Sequence, residues 1–386
     1  SGPAGLTAAH DLATRGYQVT VFEKFEELGG MLALGIPEYR LPRPLLHEEI
    51  AYIRSLGVQF KTAVQLGRDL TLPQLREQGF KAVFLAIGAH ENVRLEVPGE
   101  SLEGVVPGIE FLRRVNLGAN GHCGRRVAVI GGGNTAIDAA RTALRLGSQV
   151  TILYRRTRAE MPAAAHEVDD AEAEGVMIRY LIAPVELLGE RGKVSAVKCV
   201  TMRLGEPDAS GRRRPIPVEG SEHMLGFDTV IVAISQATDV AAFAGSEKRD
   251  GNGIGLTVTK WGTVEIDPES KQTSIPGVFA GGDVALGPST VIAAMGNGRR
   301  AAEAIDKYLN GRPLADFTTH LVRQRSTKGE TFRPHSYAPM YKDTPRIPRV
   351  PMPKAPPQER VADFREVELG FSEEQAVREA QRCLNC

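Results

Sequence analysis

The sequence predicts an α/β protein of two similar domains, the second inserted into the first, followed by an extended C-terminal tail. A glycine-rich turn that opens a helix occurs twice, at residues 1–6 and 131–136, and an apolar run follows each helix. A later apolar run at residues 277–280 leads into another helix-forming stretch, as expected for a strand that returns to the first sheet. Each domain is expected to have three layers, in which helices cover both faces of a parallel sheet.

The first domain begins with a predicted helix over residues 2–15 and a strand that ends at Glu23. Five apolar residues at helical spacing predict an amphipathic helix, and they are Leu45, Leu46, Ile50, Ile53 and Leu56. A strand is expected near residues 58–62. The fully apolar run at 83–88, closed by glycine, is typical of a buried parallel strand.

The second domain has a predicted strand at residues 127–130 and a charged helix at 167–174. A β-meander is expected from residue 185 to residue 224, because glycine, proline and charged residues mark its turns. The basic run at 212–214 is interpreted as a solvated hairpin tip. A buried strand at 230–234 completes this Rossmann-like domain.

Composition limits the class of protein. The 386 residues include 47 basic and 47 acidic side chains, so the net charge does not indicate a polyanionic partner such as nucleic acid. No apolar stretch approaches the roughly 20 residues that are needed to cross a bilayer. Four cysteines are too few for a disulfide framework in a chain of this length. These observations predict a soluble protein in the reducing cytoplasm.

The two glycine-rich turns share one spacing. When Gly133 is superposed on Gly2, Ala136 falls on Gly5 and Tyr154 falls on Glu23. Glycine at such a turn lets the backbone approach a pyrophosphate, whose charge then lies against the amides of the helix N-terminus. The residue that ends the second strand contacts a ribose. The sequence therefore predicts two dinucleotide-binding sites.

The second strand ends differently in the two domains. Glu23 can accept hydrogen bonds from ribose hydroxyls, which favours an adenosine without a 2′-phosphate, such as that of FAD. Arg155 and Arg156 offer two guanidiniums where Glu23 offers an acid, which favours a 2′-phosphate and therefore NADPH over NADH. The alternative is that both arginines only coat the surface.

The returning strand adds a third stretch to the first site. It delivers Asp283 past two glycines, and a helix opens at Thr290. The carboxylate of Asp283 can bond a ribityl or ribose hydroxyl, and the amides of Thr290 and Val291 can face a flavin ring. Both parts of the first domain are therefore expected to hold FAD.

Cys383 and Cys386 form a Cys-x-x-Cys pair beyond a proline-rich stretch. Their distance in sequence from both glycine-rich turns favours ligation of an iron–sulfur cluster, for which two thiolates are half of a ligand set. A redox disulfide and a zinc pair are the alternatives. Cys123 and Cys199 are interpreted as structural cysteines.

Five ranges summarise the predicted domain organisation. The FAD-binding domain spans 1–115 and 241–312, the NADPH-binding domain spans 116–240, a proline-rich linker spans 313–370, and an iron–sulfur segment starts in 371–386.

No residue is predicted to act as a catalytic acid, base or nucleophile. Hydride transfer between two cofactor rings needs mainly their alignment, so the cofactors are expected to carry the chemistry. The acidic cluster around His166 and Asp170 lies on one predicted helix face and is interpreted as solvated surface rather than as a metal site.

The chain begins inside its first motif, since no apolar strand precedes Ser1. A dinucleotide fingerprint needs a buried strand ahead of its first glycine. The sequence is therefore expected to be an internal section of a longer polypeptide.

Five segments of the chain carry a family resemblance, namely residues 1–5, 35–42, 131–138, 154–163 and 279–284. Together they resemble the glutamate synthase small (beta) subunit family. That family also includes the flavin half of dihydropyrimidine dehydrogenase and the large subunit of NADH-dependent ferredoxin:NADP oxidoreductase. The similarity covers about the first 310 residues.

The resemblance, together with the motifs, implies two sets of contact residues. Those expected at FAD are Gly2, Pro3, Ala4, Gly5, Glu23, Lys24, Gly30, Met31, Arg40, Val64, Gly88, Gly282, Asp283, Thr290 and Val291. Those expected at NADPH are Gly133, Asn134, Thr135, Ala136, Arg155, Arg156, Arg158, Ala233, Ile234 and Ser235.

The function that the resemblance implies is that of a flavoprotein oxidoreductase. Electrons would pass from NADPH to FAD, and then through iron–sulfur clusters to a partner subunit or fused domain. A ferredoxin-linked or bifurcating transhydrogenase subunit is one alternative, and a non-catalytic structural subunit is another. The chain departs from the family at Ser235, where the family often has glycine, and in placing its cysteine segment after the flavin-binding region.

Overall fold

The computed structural model describes residues 1–119, 123–208, 211–239, 255–314 and 347–382. The chain begins with the first α/β unit. Its elements are α1 (Pro3–Ala13), β1 (Thr20–Phe22), α2 (Met31–Leu34), α3 (Arg43–Ser55), β2 (Gln59–Lys61), α4 (Leu72–Glu77) and β3 (Val83–Leu85).

Helix α3 is amphipathic, as its apolar spacing predicts. Leu46, Ile50 and Ile53 are buried on the face that packs toward β1, whereas Leu45, outside that buried face, is half-exposed. Arg43 at the start of α3 donates to the carbonyls of Leu32 and Ile36, which fixes this helix against the loop that precedes it.

The second unit follows the first directly in the chain. Its elements are β4 (Glu91–Asn92), β5 (Val105–Pro107), α5 (Gly108–Asn116), β6 (Arg126–Ile130), α6 (Asn134–Arg145), β7 (Gln149–Tyr154), a 3-10 turn (Arg158–Glu160), α7 (Ala165–Glu174), β8 (Met177–Tyr180), β9 (Ile182–Glu190), β10 (Lys193–Pro207), β11 (Arg213–Pro217), β12 (His223–Gly226), β13 (Thr229–Val232) and β14 (Gln236–Ala237).

Five strands of this unit form a parallel sheet in the order β5-β13-β6-β7-β8. Its central residues, among them Val127, Ile152 and Ile231, are fully buried because helices and the meander cover the two faces. The meander is antiparallel, with β10 paired to β9, β11 and β12. Strand β5 belongs to this sheet although it lies ahead of residue 116, where the second domain was expected to begin.

The chain then returns to the first unit through β15 (Val278–Ala280), α8 (Asp283–Leu286) and α9 (Val291–Leu309). Strand β15 pairs in parallel with β3, with Val278 opposite Val83, which confirms that the second unit is an insertion in the first. Helix α9 packs closely on α1, where a Cβ at Gly298 would lie 2.2 Å from the carbonyl oxygen of Ala4. Within the described ranges, the strands of the first unit form two pairs, β1 with β2 and β3 with β15.

The chain crosses between the units at β4 and again at β14. These two strands pair with each other in an antiparallel ribbon, with Gln236 opposite Asn92 and Ala237 opposite Glu91. The outgoing and returning segments are therefore held side by side.

The described part of the C-terminal tail contains α10 (Pro357–Arg360) and α11 (Glu373–Ala380). The tail is extended but packed, because Val350, Arg360 and Val367 are buried. None of the helices in the described ranges is both long enough and apolar enough to span a membrane.

Candidate functional site

The two long helices that follow the glycine-rich turns begin with the same backbone geometry. Gly2 precedes α1 with φ −70° and ψ −179°, and Gly133 precedes α6 with φ −90° and ψ 176°. Neither helix has a side chain that caps its first amides. The unbonded N–H groups and the helix dipole make each N-terminus a binding site for an anion such as a pyrophosphate.

Space for such an anion is present at both turns. A Cβ built on Gly2 would meet no atom within 4 Å, and one built on Gly133 would meet only Pro162, at 3.9 Å. Behind Gly2 the backbone is crowded instead. Gly30 has a φ of +55°, and a Cβ there would lie 2.7 Å from the Cα of Gly2, so a larger residue would push the two loops apart.

A cavity of about 1020 Å³ opens in front of α1. It is lined by every residue predicted at FAD except Arg40, namely Gly2, Pro3, Ala4, Gly5, Glu23, Lys24, Gly30, Met31, Val64, Gly88, Gly282, Asp283, Thr290 and Val291. The cavity also runs along β1 and β3, between the two strand pairs, so part of its volume lies away from the helix N-terminus. The remaining space suits a dinucleotide-sized ligand.

Glu23 lies at the end of β1 and is nearly buried. Its Oε2 lies 2.8 Å from the main-chain nitrogen of Ser1 and accepts from the Ser1 hydroxyl at 2.7 Å, and its Oε1 accepts from the Phe25 amide. Burial acts to raise the pKa of Glu23, and the hydrogen bonds from the Ser1 hydroxyl and the Phe25 amide act to lower it. The carboxylate oxygens of Glu23 are acceptors of the kind that ribose hydroxyls need.

His90 and Asp239 also line the cavity, and the sequence analysis missed both. Burial, reinforced by the nearby charge of Lys24, lowers the pKa of His90 to about 4, so its imidazole is neutral at neutral pH. The ring of His90 lies 5.9 Å from that of Phe25. The position of His90, two residues after Gly88, could have identified it from the sequence. Residues that closely follow a buried parallel strand lie at the ligand-binding edge of the sheet.

Asp283 also lines the cavity, in the returning part of the first unit. Its Oδ1 accepts from the amide and the hydroxyl of Ser289, both at 3.1 Å, and burial raises its pKa. Thr290 caps α9 through its hydroxyl, which accepts from the Ala293 amide. These contacts fix the loop between α8 and α9 along the cavity wall.

Arg40 was predicted to contact FAD, but its guanidinium lies elsewhere. Its Nη1 donates to both carboxylate oxygens of Asp138 at 2.8 Å, and its Nε lies 2.9 Å from Oε1 of Glu167. Both partners belong to the second unit. The interpretation of the α7 acidic cluster as solvated surface was also wrong in part, because Glu167 and Glu174 are buried in ion pairs with Arg141.

The predicted NADPH residues of α6 lie at its N-terminus. Asn134 and Thr135 form its first turn with Ala136, and the side-chain oxygen of Asn134 accepts from the Ala164 amide at 3.1 Å. Tyr154 packs its ring where a Cβ on Gly132 would lie, 2.4 Å away, and its hydroxyl donates to the Glu160 carbonyl. The aromatic ring thus supports the glycine turn from behind.

The three predicted arginines have different surroundings. Arg155 is exposed and forms no ion pair with the described residues, so its guanidinium is available to a phosphate. Arg156 is buried and donates to the Arg213 carbonyl and to the Asp208 carboxylate, at 2.7 and 2.8 Å. Arg158 is half-exposed and forms ion pairs with two acids of α7, Asp169 and Glu172.

Ala233, Ile234 and Ser235 follow β13 at the carboxyl end of the parallel sheet. The Ala233 amide continues the pairing by donating to the Ile130 carbonyl at 2.8 Å, which brings this segment beside the second glycine-rich turn. Ile234 and Ser235 are exposed there. Ligands of open α/β sheets bind at this edge.

Cys383 and Cys386, the predicted metal ligands, lie outside the described residues. Cys123 and Cys199 are buried free thiols, and burial raises the pKa of both, that of Cys199 to about 11. Neither lines the cavity in front of α1. Across the described ranges, no three metal-ligating side chains come together.

Comparisons with known proteins agree with this geometry. Residues 1–298 match the family model described as pyridine nucleotide-disulphide oxidoreductase. The whole chain is 46% identical to 53% of the NADP(+)-dependent formate dehydrogenase subunit beta of Moorella thermoacetica. Over 82% of its length it is 37% identical to 66% of the glutamate synthase [NADPH] small chain of Azospirillum brasilense. The chain therefore spans about half to two thirds of these relatives.

One solved structure shows the fold. Mycobacterium tuberculosis FprA in complex with NADPH superposes with a TM-score of 0.66 over 81% of this chain and 83% of its own, at 19% identity. The two-domain α/β architecture predicted from the sequence is thereby confirmed.

Proposed function

The chain belongs to the pyridine nucleotide-disulphide oxidoreductase family, with the glutamate synthase small chain among its relatives, and we propose that it is an electron-input module that takes hydride from NADPH onto FAD. The observation that carries this proposal is the matched pair of uncapped helix N-termini at Gly2 and Gly133, each with open space in front of it.

The first unit has the groups that an FAD needs. The N-terminus of α1 would hold the pyrophosphate, Glu23 the adenosine ribose and Asp283 the ribityl chain, all of which line one cavity. The first turn of α9 would lie against the flavin ring. Neutral His90 and Lys24 would complete the adenosine end.

The second unit would hold NADPH at the N-terminus of α6. Exposed Arg155 is the guanidinium best suited to contact the 2′-phosphate, since Arg156 and Arg158 are already paired with carboxylates. Residues 233–235 would line the nicotinamide end of this site.

When bound, the nicotinamide supplies a hydride and the flavin can release the two electrons one at a time. The contribution of the protein is to align the two rings and to exclude water. The described cysteines argue against a dithiol as the next acceptor, because Cys123 and Cys199 are buried thiols away from the cavity. We therefore propose that the electrons pass to iron–sulfur clusters, for which Cys383 and Cys386 are candidate ligands.

The partner belongs to the same proposal. The relatives include proteins named as beta subunits and small chains, which supports a partner, as a separate subunit or a fused domain. We propose that this partner carries iron–sulfur clusters or a catalytic site and that the protein works in the cytoplasm. No observation on the described residues favours the transhydrogenase or the non-catalytic alternative.

A visible spectrum of the purified full-length protein tests the proposal. FAD released by denaturation should be stoichiometric with the protein, and anaerobic NADPH should bleach the flavin band. A protein that retains no FAD after reconstitution, or whose flavin band is unchanged by NADPH, would contradict it.

A further inference from the structure

A cluster of charged side chains lies between the two units, outside the cavity in front of α1. Arg40 enters it from the loop between α2 and α3, in the first unit. Asp138 enters from α6 and Glu167 from α7, both in the second unit. In this cluster, one guanidinium of the first unit forms ion pairs with two helices of the second unit.

The geometry of Arg40 is specific to a guanidinium. Its Nη1 donates to both oxygens of Asp138 while its Nε pairs with Glu167, so one planar group engages two helices. Asp138 and Glu167 are only 5% and 7% exposed. A lysine could place its single ammonium against one of these helices but could not form the same fork.

Both helices that Arg40 contacts form the proposed NADPH site. Asp138 lies one helical turn beyond Asn134, the first residue of α6. Ala164, immediately before α7, donates to the side chain of Asn134. A shift of Asp138 or Glu167 would therefore move the N-terminus of α6.

The loop that carries Arg40 is connected to the wall of the flavin cavity. Its loop follows α2, and Gly30 and Met31 at the start of α2 line that cavity. The tail holds the same loop from behind, because the Val367 amide donates to the Tyr39 carbonyl at 3.0 Å. Lys354 and Arg360 in turn attach the tail to Asp170 of α7.

From these contacts we infer that Arg40 is a positioning residue, which sets the NADPH-binding helices at a fixed orientation to the flavin cavity and so aligns the two rings for hydride transfer. The inference rests on the proposed function. It replaces direct contact with FAD as the role of Arg40.

The test is stopped-flow reduction of the full-length, FAD-loaded protein by saturating NADPH. Arg40→Ala should slow flavin reduction by at least about tenfold, because small misplacements of reacting groups have effects of this size. Its FAD content and its affinity for NADPH should remain near those of the wild type. Reduction by dithionite, which needs no nicotinamide, should be unchanged.

Two further variants make the comparison specific. Arg68→Ala is the matched control, since Arg68 is exposed and pairs with Asp69 of its own unit, and it should behave as the wild type. Arg40→Lys keeps the charge without the fork and should remain slow. Full recovery in Arg40→Lys would overturn the inference, as would an unchanged rate or a loss of FAD in Arg40→Ala.

Should Arg40→Ala fail to fold, Asp138→Asn removes the ion pair of Arg40 with α6, keeps that with Glu167 and changes the shape little. It should slow reduction less than Arg40→Ala, and an unchanged reduction rate there would overturn the inference. Hydrogen exchange without NADPH gives a readout that does not depend on turnover. Residues 36–42 and 163–168 should exchange faster in the Arg40 or Asp138 variant than in Arg68→Ala, and equal exchange would contradict the contact. If NADPH does not reduce the wild-type protein, the proposed function is wrong. Hydrogen exchange would then still show whether Arg40 holds the two units in contact.

Discussion

The guanidinium of Arg145 lies over the ring of Tyr39, with 3.9 Å between its central carbon and the ring centroid. Arg141 approaches the same ring at 4.8 Å, so a tyrosine of the first unit is enclosed by two cations of α6. Tyr39 is 1% exposed, and its hydroxyl has no hydrogen-bond partner among the described residues. The attraction between cations and the ring face holds the units together without that hydroxyl.

Tyr39→Phe should therefore stabilise the protein slightly. It keeps the ring and removes a buried polar group without a partner, so the free energy of unfolding should rise by about 1 kcal/mol. Chemical denaturation measures the change, and Tyr52→Phe on the exposed face of α3 is the control, with no change expected. A loss of stability in Tyr39→Phe would show that the hydroxyl has a partner such as a bound water.

Gly30→Ala should greatly weaken FAD binding. The new Cβ would lie 2.7 Å from the backbone of Gly2, which displaces the turn that precedes α1. Gly57→Ala separates this effect from backbone strain, because Gly57 also has a positive φ, of +94°, but has open space around it. The control should lose about 1 kcal/mol of stability and retain FAD. FAD content after gel filtration distinguishes the two, and equal FAD in both variants would contradict the prediction.

Arg155→Ala should weaken NADPH binding and leave NADH binding nearly unchanged. Loss of one charge-assisted contact to the 2′-phosphate corresponds to about 2 kcal/mol, or roughly thirtyfold in the dissociation constant. Arg156→Ala is a different case, because it breaks buried contacts to Asp208 and Arg213, and it should lower stability. Equal losses of NADPH and NADH affinity in Arg155→Ala would refute the phosphate contact.

Asp138 should make stability depend on pH. Burial, reinforced by Glu167, raises the pKa of Asp138 to about 6, although Arg40 and Arg141 act in the opposite direction. A carboxyl whose pKa is raised on folding contributes stability that is present below the unfolded pKa and is lost as pH rises through the folded pKa. From pH 4 to pH 7 this contribution should fall by about 2 kcal/mol.

The measurement is urea unfolding of the wild type and of Asp138→Asn over that pH range. The difference between the two proteins isolates the contribution of Asp138 from those of all other groups. A difference that does not change with pH would show that folding does not raise the pKa of Asp138.

Much of the fold could be predicted because its signals are local. The spacing from Gly2 to Glu23, repeated from Gly133 to Tyr154, identified both units, and the strand before Asp283 identified the return to the first sheet. These patterns reflect burial and turn geometry, which neighbouring residues determine.

The contact between the units could not be predicted in the same way. Arg40 and Asp138 are 98 residues apart, and nothing in the local pattern of either specifies the other as its partner. The charges of α7 look like those of a solvated helix, because helical periodicity cannot distinguish a buried ion pair from an exposed face. Likewise, Arg155 and Arg156 are adjacent in sequence, and only the fold shows that one is exposed while the other is paired with Asp208.

The uncapped start of α1 has a consequence for handling the protein. A helix whose first amides gain their acceptors from a bound cofactor is weaker when that cofactor dissociates, so by mass action the melting midpoint should track the concentration of free flavin. Preparations that bleach on dilution or dialysis should therefore also aggregate at lower temperature, and added flavin should protect them.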